Sequence, residues 1–169
     1  EIPILGTNAH WDSKGEYFVA EGDESDGSLV AFNPHFALLL NIEEEHLDYY
    51  SGGIKEIREV FRRFVESTDK GVVYCGNDAE ASELCQSRKG AVSYGWDPAF
   101  NFCANIINIR DSSSEFEVLR DGKVIGKITL GIPGRHNVLN ALAVVALSGM
   151  LGVQFAHIAE AMRIFRGAR

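Results

Sequence analysis

Apolar residues follow three rhythms along this chain, and each rhythm predicts a different kind of element. Unbroken apolar runs at 36–40 (Phe-Ala-Leu-Leu-Leu) and 71–75 (Gly-Val-Val-Tyr-Cys) are too short for helices and too continuous for half-solvated strands. They predict strands buried on both faces, as in a parallel sheet. A β-prone run at 17–20 (Tyr-Phe-Val-Ala) and another at 91–94 (Ala-Val-Ser-Tyr) predict two more. Between 53 and 68 the apolar residues are Ile54, Ile57, Val60, Phe61, Phe64 and Val65, the three-and-four spacing of an amphipathic helix with Arg and Glu on its other face. A shorter helix is expected over 79–87 with Asp78 as its N-cap, and a very short one over 28–32, before Pro34 resets the chain. Residues 1–16 read as a loop or short edge strand.

The rhythm then switches to alternation at 102–109, 114–119 and 123–130, with Asp121-Gly122 as a type I′ hairpin signal between the last two. A run apolar on nearly every side, 141–147, follows Pro133-Gly134 and predicts a deeply buried helix. A final amphipathic helix is expected over 155–165. The expected fold class is α/β: a mostly parallel sheet flanked by helices, with a small antiparallel sheet attached, in one domain spanning 1–169.

Composition narrows the function. The chain has 24 acidic and 16 basic residues and a net charge of -8, which argues against nucleic acid or an anionic membrane as the main partner, since both select clustered Lys and Arg. Cys75, Cys85 and Cys103 are odd in number and lack CxxC spacing, so neither a disulfide framework nor a zinc site is indicated. Reduced thiols, the absence of a signal-peptide pattern and the absence of a membrane-length apolar run suggest a cytoplasmic protein. Glu1 opens the chain without a methionine, and Arg169 closes it within a basic turn, so a piece of a larger polypeptide, cut at both ends, is expected. No GxxxxGK[ST] phosphate loop occurs in the 169 residues.

The candidate chemistry lies where apolar runs end in polar ones. Residues 17–20 lead into Glu21-Gly22-Asp23-Glu24-Ser25-Asp26-Gly27, and residues 36–40 lead into Asn41-Ile42-Glu43-Glu44-Glu45-His46-Leu47-Asp48. In open α/β sheets ligands bind beyond the carboxyl ends of the strands. Glu21 and His46 could there hold Mg²⁺ and, through it, a phosphate. The same acids could instead cap the helix after Gly27, and His46 could be a surface salt-bridge partner. His136, Asn137 and Asn140 open the greasy helix. The two asparagines, three apart, share a face where amides can read the edge of a base. Asn137 could equally be a cap; Asn140, amid apolar neighbours, would need partners if buried. His10, His35 and His157 receive no role, and no serine lies in a GxSxG context.

Taken together, Phe18-Val19-Ala20-Glu21-Gly22-Asp23-Glu24-Ser25-Asp26-Gly27-Ser28, Asn41-Ile42 with His46-Leu47-Asp48 and Tyr50, and Pro133-Gly134-Arg135-His136-Asn137-Val138-Leu139-Asn140-Ala141 resemble the Mur ligases, and among them the alanine-adding type. The resemblance implies the central ATP-binding domain of a cytoplasmic enzyme of peptidoglycan synthesis. Such enzymes use ATP and Mg²⁺ to join L-alanine to UDP-N-acetylmuramate through an acyl phosphate. It implies Mg²⁺ binding by Glu21 and His46, and ATP contacts from Asn137 and Asn140 with His136 beside them. Gly22 stands where the family usually has Ala, and Glu45 where it has Asp. Arg62 and Arg63 occupy the middle of the helix that carries a carbamylated lysine in several sister ligases. The family's phosphate loop is expected before residue 1 and a further arginine after residue 169. Three other readings are a tripeptide-recycling Mur-type ligase, a metal-dependent phosphohydrolase using Glu21, Asp23 and His46, and a non-catalytic binding module whose acidic residues only cap a helix.

Overall fold

In the computed structural model, which describes residues 6–167, the two buried runs become neighbouring parallel strands. β1 (Phe36–Leu39) pairs with β2 (Gly71–Cys75), Phe36 opposite Gly71 and Leu39 opposite Tyr74. Every residue of β2 is buried, as a strand covered on both faces must be. The chain connects β1 to β2 through α1 (Ile54–Ser67), and β2 through α2 (Ala79–Cys85) to β3 (Val92–Gly95), which lies parallel to β2. The Asp78 side chain accepts a hydrogen bond from the Ala81 N–H at 2.8 Å and so caps α2.

The antiparallel part is not a separate sheet. β4 (Phe102–Arg110) runs parallel to β3 and antiparallel to β5 (Ser113–Arg120), which pairs in turn with β6 (Lys123–Leu130). One six-stranded sheet results, in the order β1-β2-β3-β4-β5-β6. The β5–β6 turn has φ 48° at Asp121 and 75° at Gly122, the two positive values a type I′ turn requires.

Alternate residues of the strands feed two cores. Val72 and Tyr74 of β2 join Ala37 and Leu39 of β1 against Ile57 and Val65 of α1 and Ala81 and Cys85 of α2. Val73 and Cys75 point the other way, with Phe116, Val118, Ile128 and Leu130, toward α3 (Arg135–Met150) and α4 (Phe155–Ile164). α3 buries Val138, Ala141, Leu142, Ala143, Val145 and Ala146, leaving Val144 at 42% exposure. It ends in a Schellman motif: the Gly152 N–H donates to Gly149, the Val153 N–H donates to Ser148, and Gly152 supplies the left-handed φ of 79°.

The expected strand at 17–20 is absent. Among the described residues they pair with no neighbour, and Phe18 and Val19 are 78% and 86% exposed. β-propensity records how a side chain suits a pleated surface between neighbours, and without a neighbouring ladder to take up the backbone hydrogen bonds the run does not become a strand. The outer side of β1 carries no strand among the described residues. A 3-10 turn at Ser28–Ala31 replaces the short helix read at 28–32.

Candidate functional site

β1, β2 and β3 are parallel, so their carboxyl ends share one edge of the sheet. The loop carrying His46 leaves β1 there, Gly76 and Asn77 leave β2, and Trp96 follows β3. The Tyr94 hydroxyl, at the end of β3, donates to the carbonyl of Leu39, the last residue of β1, at 3.5 Å. α3 begins at the same edge, because the Arg135 guanidinium lies over the Trp96 ring, 4.6 Å from its centre. In turn, Asn77 Oδ1 accepts the Trp96 backbone N–H at 2.8 Å. Both candidate groups, the acid–imidazole loops and the start of α3, therefore meet the edge at which open α/β sheets bind ligands.

In the acidic stretch, local geometry occupies two of the four acids. Asp23 Oδ1 accepts the Ser25 N–H at 2.8 Å and Asp26 Oδ1 the Ser28 N–H at 2.9 Å. These hydrogen bonds hold both carboxyls below the usual carboxylate range. The capping alternative thus describes Asp23 and Asp26. Glu24 faces His46 instead, with Oε1 3.7 Å from Nε2, and Glu45 Oε2 stands at 4.0 Å. Glu21 is exposed and is not among the carboxylates within 4 Å of the imidazole. His46 adopts φ 54°, uncommon for a residue with a side chain, and its carbonyl accepts the N–H groups of both Tyr49 and Tyr50 at 2.9 Å. Backbone strain of this kind clusters at functional loops.

The carboxylates of this set suit Mg²⁺, which takes one or two of them and completes its octahedron with water and phosphate oxygens; the His46 imidazole is a softer donor than this ion ordinarily takes. Among the described residues, no three His, Cys, Asp or Glu side chains are grouped so as to hold a metal on their own. An ion here would need oxygens from a bound phosphate or from water.

At the start of α3, Gly134 occupies the N-cap with φ 112° and no side chain caps the helix. Asn137 is not the cap; its Nδ2 donates back to the Pro133 carbonyl at 2.6 Å. His136 and Asn140 are exposed. The burial that would have obliged Asn140 to find partners does not exist, and its amide is free to meet a ligand. Of the histidines given no role, His35 pairs with Asp69 at 3.0 Å. The sequence motifs include Arg135 without a role of its own and leave out Asn77 and Trp96. The available signal was a large aromatic residue in the turn Gly95-Trp96-Asp97-Pro98, directly after a buried strand.

The Mur ligase middle-domain model matches residues 5–148. The chain belongs to the Mur ligase family. It is 34% identical over its whole length to a UDP-N-acetylmuramate--L-alanine ligase of Dictyoglomus turgidum, and 39% identical over 97% of its length to that of Acidothermus cellulolyticus. It spans only 37% and 35% of those two proteins. Among solved structures, the UDP-N-acetylmuramate-alanine ligase of Thermotoga maritima superposes with a TM-score of 0.76 at 31% identity, covering 87% of this chain and 33% of that one. A UDP-N-acetylmuramate:L-alanyl-gamma-D-glutamyl-meso-diaminopimelate ligase from Neisseria superposes with a TM-score of 0.70 at 25% identity, over 83% of this chain and 43% of that one. The mostly parallel sheet with its antiparallel extension is thus the Mur ligase middle-domain fold.

Proposed function

We propose that residues 1–169 form the central ATP-binding domain of a ligase that joins L-alanine to UDP-N-acetylmuramate in the cytoplasm, using ATP and Mg²⁺. The observation that carries this reading is the Arg135–Trp96 stack, which sets the α3 start at the sheet edge from which the His46 loop also leaves. One place for a cation and one for a nucleotide then lie along one edge. The preference for alanine rests on the curated relatives named above, both alanine ligases. In this reading Glu21 and His46 hold Mg²⁺, whose chemistry is to neutralise the charge of the transferring phosphoryl group. His136, Asn137 and Asn140 orient the nucleotide, Asn140 through an exposed amide and Asn137 by exchanging its Pro133 contact for the ligand. Positioning and charge neutralisation are most of what phosphoryl transfer needs from a protein, and these side chains supply both.

The test uses the full-length ligase that carries this chain. Phosphate release from ATP should require both UDP-N-acetylmuramate and L-alanine, and Glu21→Gln and His46→Ala should each lower turnover by about 100-fold or more, the scale of losing a group that stabilises transition-state charge. Hydrolysis of simple phosphate esters that Glu21→Ala abolishes would replace this reading with a phosphohydrolase. Unchanged turnover in both variants would leave the acidic loop a capping structure only.

A further inference from the structure

We propose that Trp96 is a positioning residue for the nucleotide: its indole face holds the Arg135 guanidinium and thereby fixes the first turn of α3, which carries His136 and Asn137. The proposal rests on the assignment of that turn to ATP made above.

Arg135 stands at the first position of α3, the wrong end for a cation, because the free N–H groups there already carry partial positive charge. The first turn holds no acid and no side-chain cap to compensate. Arg135 also forms no ion pair among the described residues. Its described partner is the face of Trp96, at 4.6 Å from the ring centre, the geometry of a cation–π contact. The indole is itself anchored. It packs against the core between the sheet and α3, and its backbone N–H is held by Asn77 Oδ1.

That anchor has little room to move. A methyl group on Gly95 would lie 2.2 Å from Asn77 Oδ1 and 2.7 Å from the Phe100 ring, and one on Gly76 would lie 2.4 Å from the same ring. The ends of β2 and β3 are thus closed tightly around Asn77 and Phe100, and Trp96 inherits a fixed position from both strands. Through Arg135 that position passes to the turn bearing His136 and Asn137. Buried Val138 seats the inner side of this turn in the core, and on its outer side the described side-chain contacts are the bond from Asn137 to Pro133 and the Trp96 stack. When Asn137 leaves Pro133 for a nucleotide, the stack still holds the outer side of the turn, while Val138 holds its inner side.

The experiment measures steady-state kinetics and melting temperature for the full-length ligase and its Trp96→Ala, Trp96→Phe, Arg135→Ala, Trp96→Ala/Arg135→Ala and Asn137→Ala variants. The expected result is a rise of roughly tenfold in KM for ATP in Trp96→Ala and in Arg135→Ala, the loss of one cation–π contact. KM for the other two substrates should stay the same, and Trp96→Phe should restore most of the loss, since a phenyl face still accepts the cation. The double variant should be no worse than either single one, because both remove the same contact. A normal KM for ATP in Arg135→Ala, or multiplied effects in the double variant, would overturn the proposal. So would equal losses for all substrates that Trp96→Phe fails to rescue, since those report a folding defect. If Asn137→Ala raises KM for ATP while Arg135→Ala does not, only the role of Trp96 falls; if neither does, the nucleotide assignment of α3 falls with it.

Discussion

The Tyr50 phenol donates a hydrogen bond to the backbone carbonyl of Glu24, tying the loop that carries His46 to the acidic loop that faces it. Tyr50 is 1% exposed, and burial, aided by neighbouring Tyr49 and the Glu24 carboxylate, pushes its phenol up and keeps it a donor. Tyr50→Phe keeps the ring and deletes the tie. We expect it to lower stability by about 1 kcal/mol, the usual net worth of such a bond, as a lower urea midpoint at unchanged slope. Under the Mg²⁺ role proposed above for His46, it should also raise the Mg²⁺ concentration at which the full-length protein reaches half-maximal turnover. An unchanged midpoint would mean that the two loops hold each other by other contacts.

Gly95 is required by space rather than by backbone conformation. Its φ is ordinary for any residue, yet an added methyl would meet Asn77 Oδ1 at 2.2 Å and the Phe100 ring at 2.7 Å. Gly95→Ala should therefore destabilise the domain by about 1–3 kcal/mol, the usual cost of overpacking. Indole near-UV circular dichroism, to which half-buried Trp96 contributes more than exposed Trp11, should change with it. A variant as stable as the parent would show that Phe100 can swing aside freely.

Asp78 caps α2 through a single side-chain bond to the Ala81 N–H. Asp78→Ala should cost about 1 kcal/mol, while Asp78→Asn or Asp78→Ser should recover most of it. Chemical denaturation of the three variants measures this directly; equal losses in all three would remove the capping role.

Cys85 is fully buried, and burial pushes its thiol up to about 11 from an ordinary value near 9. The folded state therefore holds the thiol proton more tightly than the unfolded chain does. The sign follows: this contribution is complete below about pH 9 and is lost as pH rises toward about 11. The urea midpoint should fall across that window, and fall less in Cys85→Ala than in the parent. Since all three cysteines are buried, alkylation at pH 8 should label none of them until urea unfolds the domain. A thiol that reacts in the native protein would contradict the buried placement.

Much of the fold is legible in the sequence because the periodicities are strong. The run at 71–75 became β2 without a change of boundary, the helix read at 53–68 is Ile54–Ser67, and Asp121-Gly122 makes the turn its dipeptide announces. The candidate site was legible in part. The asparagine-bearing helix begins where the motif placed it, but the carboxylates within 4 Å of His46 belong to Glu24 and Glu45. The spacing of acids along a loop does not say which one turns toward a partner on another loop.

By itself, then, the sequence determined the elements whose signals are local: buried strands, amphipathic and all-apolar helices, a capped helix and a hairpin turn, together with the motifs that place the chain among the Mur ligases. Only the tertiary structure decided that β4 would serve both the parallel and antiparallel halves of one sheet, that residues 17–20 would stay unpaired, and that Trp96 would sit beneath Arg135. The physical reason is shared by all three. Side-chain periodicity reports which face of an element is apolar, whereas pairing and stacking depend on which distant segment arrives beside it.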